Sequence, residues 1–253
     1  MRGAPFALLA LLLLAQNTGC EKTSGQTRGA ESGGSSERGF SGETQPRQTA
    51  TVSKRMAEHS AHAVAIKTSI VKGDVSRAKV AATWLAESEW TSNLRNDWRP
   101  EMQSLRATAR SVMKAETLEN AAFALGHVAD ACASCHLRVA VPLPAPDLTT
   151  SADGSERQRR LHAEATDKLW LGLSTPSDEV WLSGARAMAL APLAPRTPLR
   201  DGEALSEADT LARRLRDLAG VGLMVAVDRR AATFSEMLGT CARCHNLLGV
   251  TLP

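Results

Sequence analysis

Two stretches decide how this chain is read: LENAAFALGHVADACASCH at residues 118–136, and GLMVAVDRRAATFSEMLGTCARCH at residues 222–245. In both, apolar residues recur at a spacing near 3.6, the period of an amphipathic helix. Each ends on the same five-residue pattern, Cys132-Ala133-Ser134-Cys135-His136 in the first and Cys241-Ala242-Arg243-Cys244-His245 in the second. Working back from each pattern gives the same order of parts. Helices are expected at 101–114 and 203–218, before those at 75–87 and 178–190, and first of all at 54–71 and 156–174. Gly73-Asp74 and Thr175-Pro176-Ser177 separate the first and second helices of the two halves. Pro100 heads the third helix, where its missing N–H costs little. The run Val141-Pro142-Leu143-Pro144-Ala145-Pro146 breaks the chain between the halves, and Pro192, Pro195 and Pro198 stiffen a loop in the second. Four helices with short connections imply an antiparallel bundle. The expectation is all-α: two tandem four-helix bundles, at 53–146 and 147–253. Composition agrees, since Tyr is absent and there are four Phe among abundant Ala and Leu, a bias toward helix over strand.

The cysteines carry the chemistry. Four of the five lie in the two C-x-x-C pairs, and each pair is followed at once by His. Cysteines three apart on a helical turn point the same way, so both can bond the vinyl groups along one edge of a haem. The next residue's imidazole then reaches the iron from one face. C-x-x-C-H is the sequence mark of c-type haem attachment, with His as an axial ligand. A zinc site of two C-x-x-C pairs keeps them about 15–20 residues apart, whereas Cys132 and Cys241 are 109 positions apart, each pair with its own His. A thioredoxin-like dithiol needs a βαβ setting, which the pattern lacks. The expected cofactors are two covalently bound haem c groups, held by Cys132, Cys135 and His136, and by Cys241, Cys244 and His245.

A four-helix bundle with C-x-x-C-H near the end of its last helix resembles the cytochrome c-prime group and its low-spin relatives, here as two tandem copies over nearly all of 53–253. The basic or aromatic residues usual after the motif in that group are absent save for Arg138. The resemblance implies that the first helix of each bundle faces the distal side of its haem. An apolar residue there leaves the iron open to gases, and a Met or His closes it. The first helix of the first half offers Met56, His59 and His62; that of the second offers His162. His59 is followed at +7 and +11 by Ile66 and Ile70, and His162 by Leu169 and Leu173, so the two occupy one register on an apolar face. An imidazole on such a face needs a partner. His59 is the expected metal ligand of the first site, with His62 and Met56 as alternatives, and His162 that of the second. Met56-Ala57-Glu58-His59 with Gly73-Asp74 downstream also resembles a pattern of the low-spin members. His127, Met224 and Met237 are assigned to the motif helices, on the proximal side, and the five Trp to core or haem-edge packing.

The N-terminus reads as an export signal over 1–19: Arg2, an apolar run at 6–15 too short to span a bilayer, then Gln16-Asn17-Thr18-Gly19-Cys20, a lipobox-like end with Cys20 as the lipidation site. Residues 20–52, rich in Gly, Ser, Thr and Gln, are expected to form a disordered tether. A lipid anchor attaches a soluble domain to a membrane without a spanning helix. The net charge of +3 and the lack of any basic block give nucleic acid no foothold. The functional expectation is a non-enzymatic dihaem electron carrier of the periplasm, bis-His and low-spin, whose partners are other redox proteins. A gas-binding or sensing protein with an open distal site is the alternative. A dihaem peroxidase is disfavoured, because no distal acid–base pair is apparent.

Overall fold

A computed structural model describes residues 45–88, 96–139, 154–193 and 202–249. Among the described residues the chain is all-α and contains no strand. Eight α-helices follow in order: α1 (Gln45–Val71), α2 (Val75–Glu87), α3 (Arg99–Met113), α4 (Leu118–Val139), α5 (Gly154–Ser174), α6 (Asp178–Leu190), α7 (Gly202–Gly222) and α8 (Arg230–Leu247). Short 3-10 turns at Asn96–Trp98 and Val227–Arg229 lead into α3 and α8. The segment 1–44, with the expected signal and Cys20, lies outside the described residues, as do the 141–146 break, Pro195 and Pro198. No described helix is long and apolar enough to cross a membrane.

Local chemistry sets the helix ends. Gly73 takes φ +77, a left-handed conformation that closes α1 and that side chains with a Cβ disfavour. Asp74 then caps α2, its Oδ1 accepting from the Arg77 N–H at 2.8 Å. Ser177 does the same for α6, accepting from the Val180 N–H at 3.4 Å. A side-chain acceptor here satisfies one of the orphan donors of the first turn. Pro100 sits in the first turn of α3, as expected.

Boundaries depart most from the sequence reading at two places. The first helix begins at Gln45 and not 54: Pro46 falls in its first turn, where a missing N–H costs little, and 47–53 contains neither Gly nor Pro to oppose helix once α1 is nucleated, so the helix takes up the end of the expected tether. The last helix begins at Arg230 and not 222. The apolar run Leu223 to Val227 continues the 3.6 period but turns, and Met224, expected on the motif helix, is 84% exposed in that turn.

Helices adjacent in sequence pack on each other in both halves; α1 also contacts α4, and α5 contacts α8. The halves meet mainly through α4 and α8, with further contacts of α4 on α5 and α1 on α8. One apolar core runs through both, from Ile66, Ile70 and Leu125 to Leu169, Trp181 and Phe234. Each such side chain contributes about 1.5–3 kcal/mol by leaving water. The Trp181 Nε1–H, fully buried, donates to the Gly222 carbonyl at 2.7 Å and pins α6 to the end of α7. The α4/α8 crossing is very close. A Cβ on Gly126 would lie 2.2 Å from Ser235 Oγ and 2.7 Å from the Ala231 carbonyl oxygen. Farther along α8, Gly239 faces Glu119 and Ala122, so the two helices run antiparallel. The half-to-half contact also holds an ion pair, with buried Lys67 of α1 donating to Asp167 of α5.

Candidate functional site

Both C-x-x-C-H patterns lie in the last turns of α4 and α8. All four thiols are free. Burial pushes the Cys132 and Cys241 thiols up to about 12, helped in each case by the neighbouring Cys135 or Cys244. Cys135 is raised by burial and by the Glu101 carboxylate, against a smaller opposing pull from Arg138. Cys244 is raised by burial. At neutral pH these are protonated sulfurs, poor metal ligands as they stand.

The histidines are set up differently. His245 Nδ1 lies 2.9 Å from the Val71 carbonyl oxygen, and His136 Nδ1 lies 2.8 Å from the Ser174 carbonyl oxygen. A carbonyl only accepts, so each Nδ1 is the protonated nitrogen and each Nε2 carries the lone pair. This is the arrangement of metal-ligating histidines, whose second ring nitrogen donates to a carbonyl or carboxylate. Burial lowers the pKa of His245, opposed by its bond to Val71, and keeps the imidazole neutral as ligation requires.

Across from His245 stands His162, its ring centre 6.0 Å away and its plane turned by 62°. Two imidazole nitrogens each about 2 Å from one metal ion place the ring centres about 6 Å apart. The α5 and α8 histidine rings match that separation, which is also that of an edge-on ring contact, and α5 contacts α8 directly. Leu169 and Leu173, which set the register of His162 in the sequence, are buried.

In the first half, His59 is buried on the core face of α1, the same face as buried Ile66 and Ile70. Its Nδ1 donates to the Arg55 carbonyl at 2.8 Å, the same tautomer again. Its ring meets Trp84 edge-on, with centres 5.2 Å apart. Burial lowers its pKa, countered first by the Arg55 bond. His62 instead stacks flat on Trp84 at 4.0 Å and lines an outward groove of about 1140 Å³ between α1 and α2 with Val80 and Lys72. Met56 is half-buried against the core. His127 is exposed and sits edge-on to Phe123, while Met237 is buried core. Trp170 and Trp181 are buried and Trp84 and Trp98 pack at the core's margin; Trp90 lies outside the described residues.

Several contributors are invisible in the sequence pattern. The Val71 and Ser174 carbonyls act through the backbone, so their side chains carry no signal. Glu101 of α3, almost buried, binds Arg138 at 2.6 Å beside the first motif. Arg243, inside the second motif, binds Glu207 of α7 at 2.7 Å. These pairs fix α3 to α4 and α7 to α8 at the motif ends.

The donor set can be tested against possible occupants. Among the described residues no group of three or more His, Cys, Asp and Glu side chains gathers as a protein-only metal cage requires. Each half instead offers two sulfurs that could bond the vinyl groups of a macrocycle and one or two imidazole nitrogens for the positions its four nitrogens leave on the metal. These residues fit a covalently held haem. No family model, no curated protein and no solved structure matches the chain.

Proposed function

We propose that the chain is a dihaem c-type cytochrome that passes single electrons in the periplasm, built as two tandem four-helix bundles with one haem in each. Cys132 and Cys135, and Cys241 and Cys244, hold the two groups through their sulfurs. His136 and His245 would bind the two irons, with His162 as the second protein ligand beside His245 and His59 as that of the first site. The observation that carries this reading is the pair His162 and His245, two rings 6.0 Å apart, of which His245 ends a C-x-x-C-H motif and presents Nε2 because Nδ1 is committed to Val71.

A haem iron bound there supplies one-electron exchange between its ferric and ferrous forms. The protein's part is positional. Two imidazoles fixed on facing helices keep the coordination shell the same in both oxidation states, so little rearrangement opposes electron movement. Carbonyl acceptors behind the rings hold their tautomer and raise their basicity. The apolar core around Leu169, Leu173, Ile66 and Ile70 excludes water and, with the choice of ligand, sets the potential. Partners in this reading are other redox proteins that dock weakly. The N-terminal pattern ending at Cys20 supports export and a lipid anchor, which leaves the haem bundles in the aqueous space beside a bacterial membrane.

Absorption and EPR spectra of the ferric protein test the reading. Two low-spin haems are expected, and His162→Ala should turn one of them high-spin while leaving the other unchanged. A dominant high-spin signal in the native protein, with carbon monoxide binding fully to both reduced haems, supports the gas-binding alternative instead. An unchanged spectrum in His162→Ala removes His162 from the site.

A further inference from the structure

The hydrogen bonds behind the two motif histidines cross between the halves. His136 belongs to the first half, yet its acceptor is Ser174, the last residue of α5 in the second. His245 belongs to the second half, and its acceptor is Val71, the last residue of α1 in the first. The two acceptors are equivalent, since Val71 lies twelve residues beyond His59 and Ser174 twelve beyond His162. The two bonds match in length, at 2.8 and 2.9 Å. An accidental contact has no reason to occur twice in corresponding places.

Both acceptors are also special as carbonyls. The last carbonyls of an α-helix have no partner within the helix, and they form the negative end of its dipole. An imidazole N–H that donates to such a carbonyl caps the helix. In return its ring is polarised toward the imidazolate form more strongly than by an isolated amide. Such a ring is a more basic ligand and favours the higher oxidation state of a bound metal.

We propose that Val71 and Ser174 are positioning residues whose carbonyls each orient and tune the axial histidine of the other half, so that neither haem site is complete within its own four helices. This rests on the haem reading above. Its consequence is that the helix end of one half sets the potential of the haem in the other.

Proline substitution just after each acceptor tests this without touching a ligand. A residue that precedes proline is driven out of the helical region. Lys72→Pro therefore swings the Val71 carbonyl away from His245, and Thr175→Pro swings the Ser174 carbonyl away from His136. Lys72→Ala and Thr175→Ala leave those carbonyls in place and serve as controls. The His162→Ala background marks the second haem as the high-spin one, so that redox titration followed by EPR reads the two separately.

Lys72→Pro should make the second haem about tenfold easier to reduce at a fixed potential, an upward shift of about 59 mV for a one-electron couple, with the first haem little changed. Thr175→Pro should do the converse, and neither alanine control should move either haem. In the unsubstituted distal background, the slowly exchanging Nδ1 proton of His245 in an NMR spectrum should be lost in Lys72→Pro and kept in Lys72→Ala. A shift confined to the haem of the mutated half, equal shifts in the proline and alanine variants, or no shift at all in folded protein overturns the proposal. A purified chain whose alkaline pyridine spectrum shows no c-type haem overturns the underlying reading instead.

Discussion

Replacing Gly126 by alanine gives a result whose sign decides whether α4 and α8 touch as closely as the structure has them. In an open mid-helix position, Gly→Ala stabilises by about 1 kcal/mol through the better helix propensity of alanine. At Gly126 the new Cβ would meet Ser235 Oγ at 2.2 Å and the Ala231 carbonyl oxygen at 2.7 Å. The hydroxyl can rotate away, but the carbonyl is backbone in the middle of a helix, so the two helices must part. Overpacking of this kind costs about 1–3 kcal/mol. Taking the upper end, because a main-chain atom is involved, and subtracting the propensity gain leaves a net loss of about 2 kcal/mol. With a urea slope of about 2–3 kcal/mol/M, the unfolding midpoint followed by far-ultraviolet circular dichroism should fall by about 1 M or slightly less. Gly220, in α7 with nothing within 4 Å of its would-be Cβ, provides the contrast, and Gly220→Ala should raise the midpoint. Adding Ser235→Ala to Gly126→Ala should recover only part of the loss, since the Ala231 oxygen remains. A midpoint for Gly126→Ala equal to or above that of the native chain refutes the close crossing, and with it the way the two halves are joined.

Trp181→Phe removes the buried indole donor to Gly222 and should cost about 1–3 kcal/mol, measurable in the same urea experiment. Asp74→Ala removes the cap on α2 and should cost about 1 kcal/mol. In the haem-free chain the folded thiols of Cys132 and Cys241 titrate near 12, whereas unfolded cysteine titrates at about 8.5. Folding thus favours the protonated form, and its contribution is fully present below about 8.5 and lost as pH rises toward 12. Midpoints that stay flat between pH 8 and 11 contradict this. By the same token, alkylation of these two cysteines should be slow in the native haem-free chain and fast in urea, because the thiolate is the reactive form.

Much of the helical order was legible because the sequence marks helix ends chemically. Gly73-Asp74 and Thr175-Pro176-Ser177 placed α2 and α6 on their observed bounds, Val75–Glu87 and Asp178–Leu190. Where only periodicity spoke, it erred. The run at 223–227 keeps an apolar period through a turn, and the polar start of α1 has no apolar face to announce it. The register of His59 and His162 was legible from the isoleucines and leucines that follow them, and these are buried as that register requires. The cross-half bonds of His136 and His245 were not. Periodicity reports which residues share a face of one helix, and says nothing about which main-chain atom from far along the chain will meet that face. Gly126 was silent for a related reason. Within Ala124-Leu125-Gly126-His127 it reads only as a local weakness in a helix, and its use appears once Ser235 is beside it.

The antiparallel course of α4 and α8 bears on what a two-centre carrier of this design can do. His136 lies ten residues past Gly126, and His245 ten past Ser235, in opposite directions from the crossing. At 1.5 Å per residue that puts the two motif histidines about 30 Å apart along the shared axis. Tunnelling fades steeply over such a span. In the proposed protein an electron that enters at one end does not run readily to the other, so the molecule behaves less like a wire than like two separate terminals on one insulating post. Two donors or acceptors can then be served at once, one at each tip, without competing for the same face.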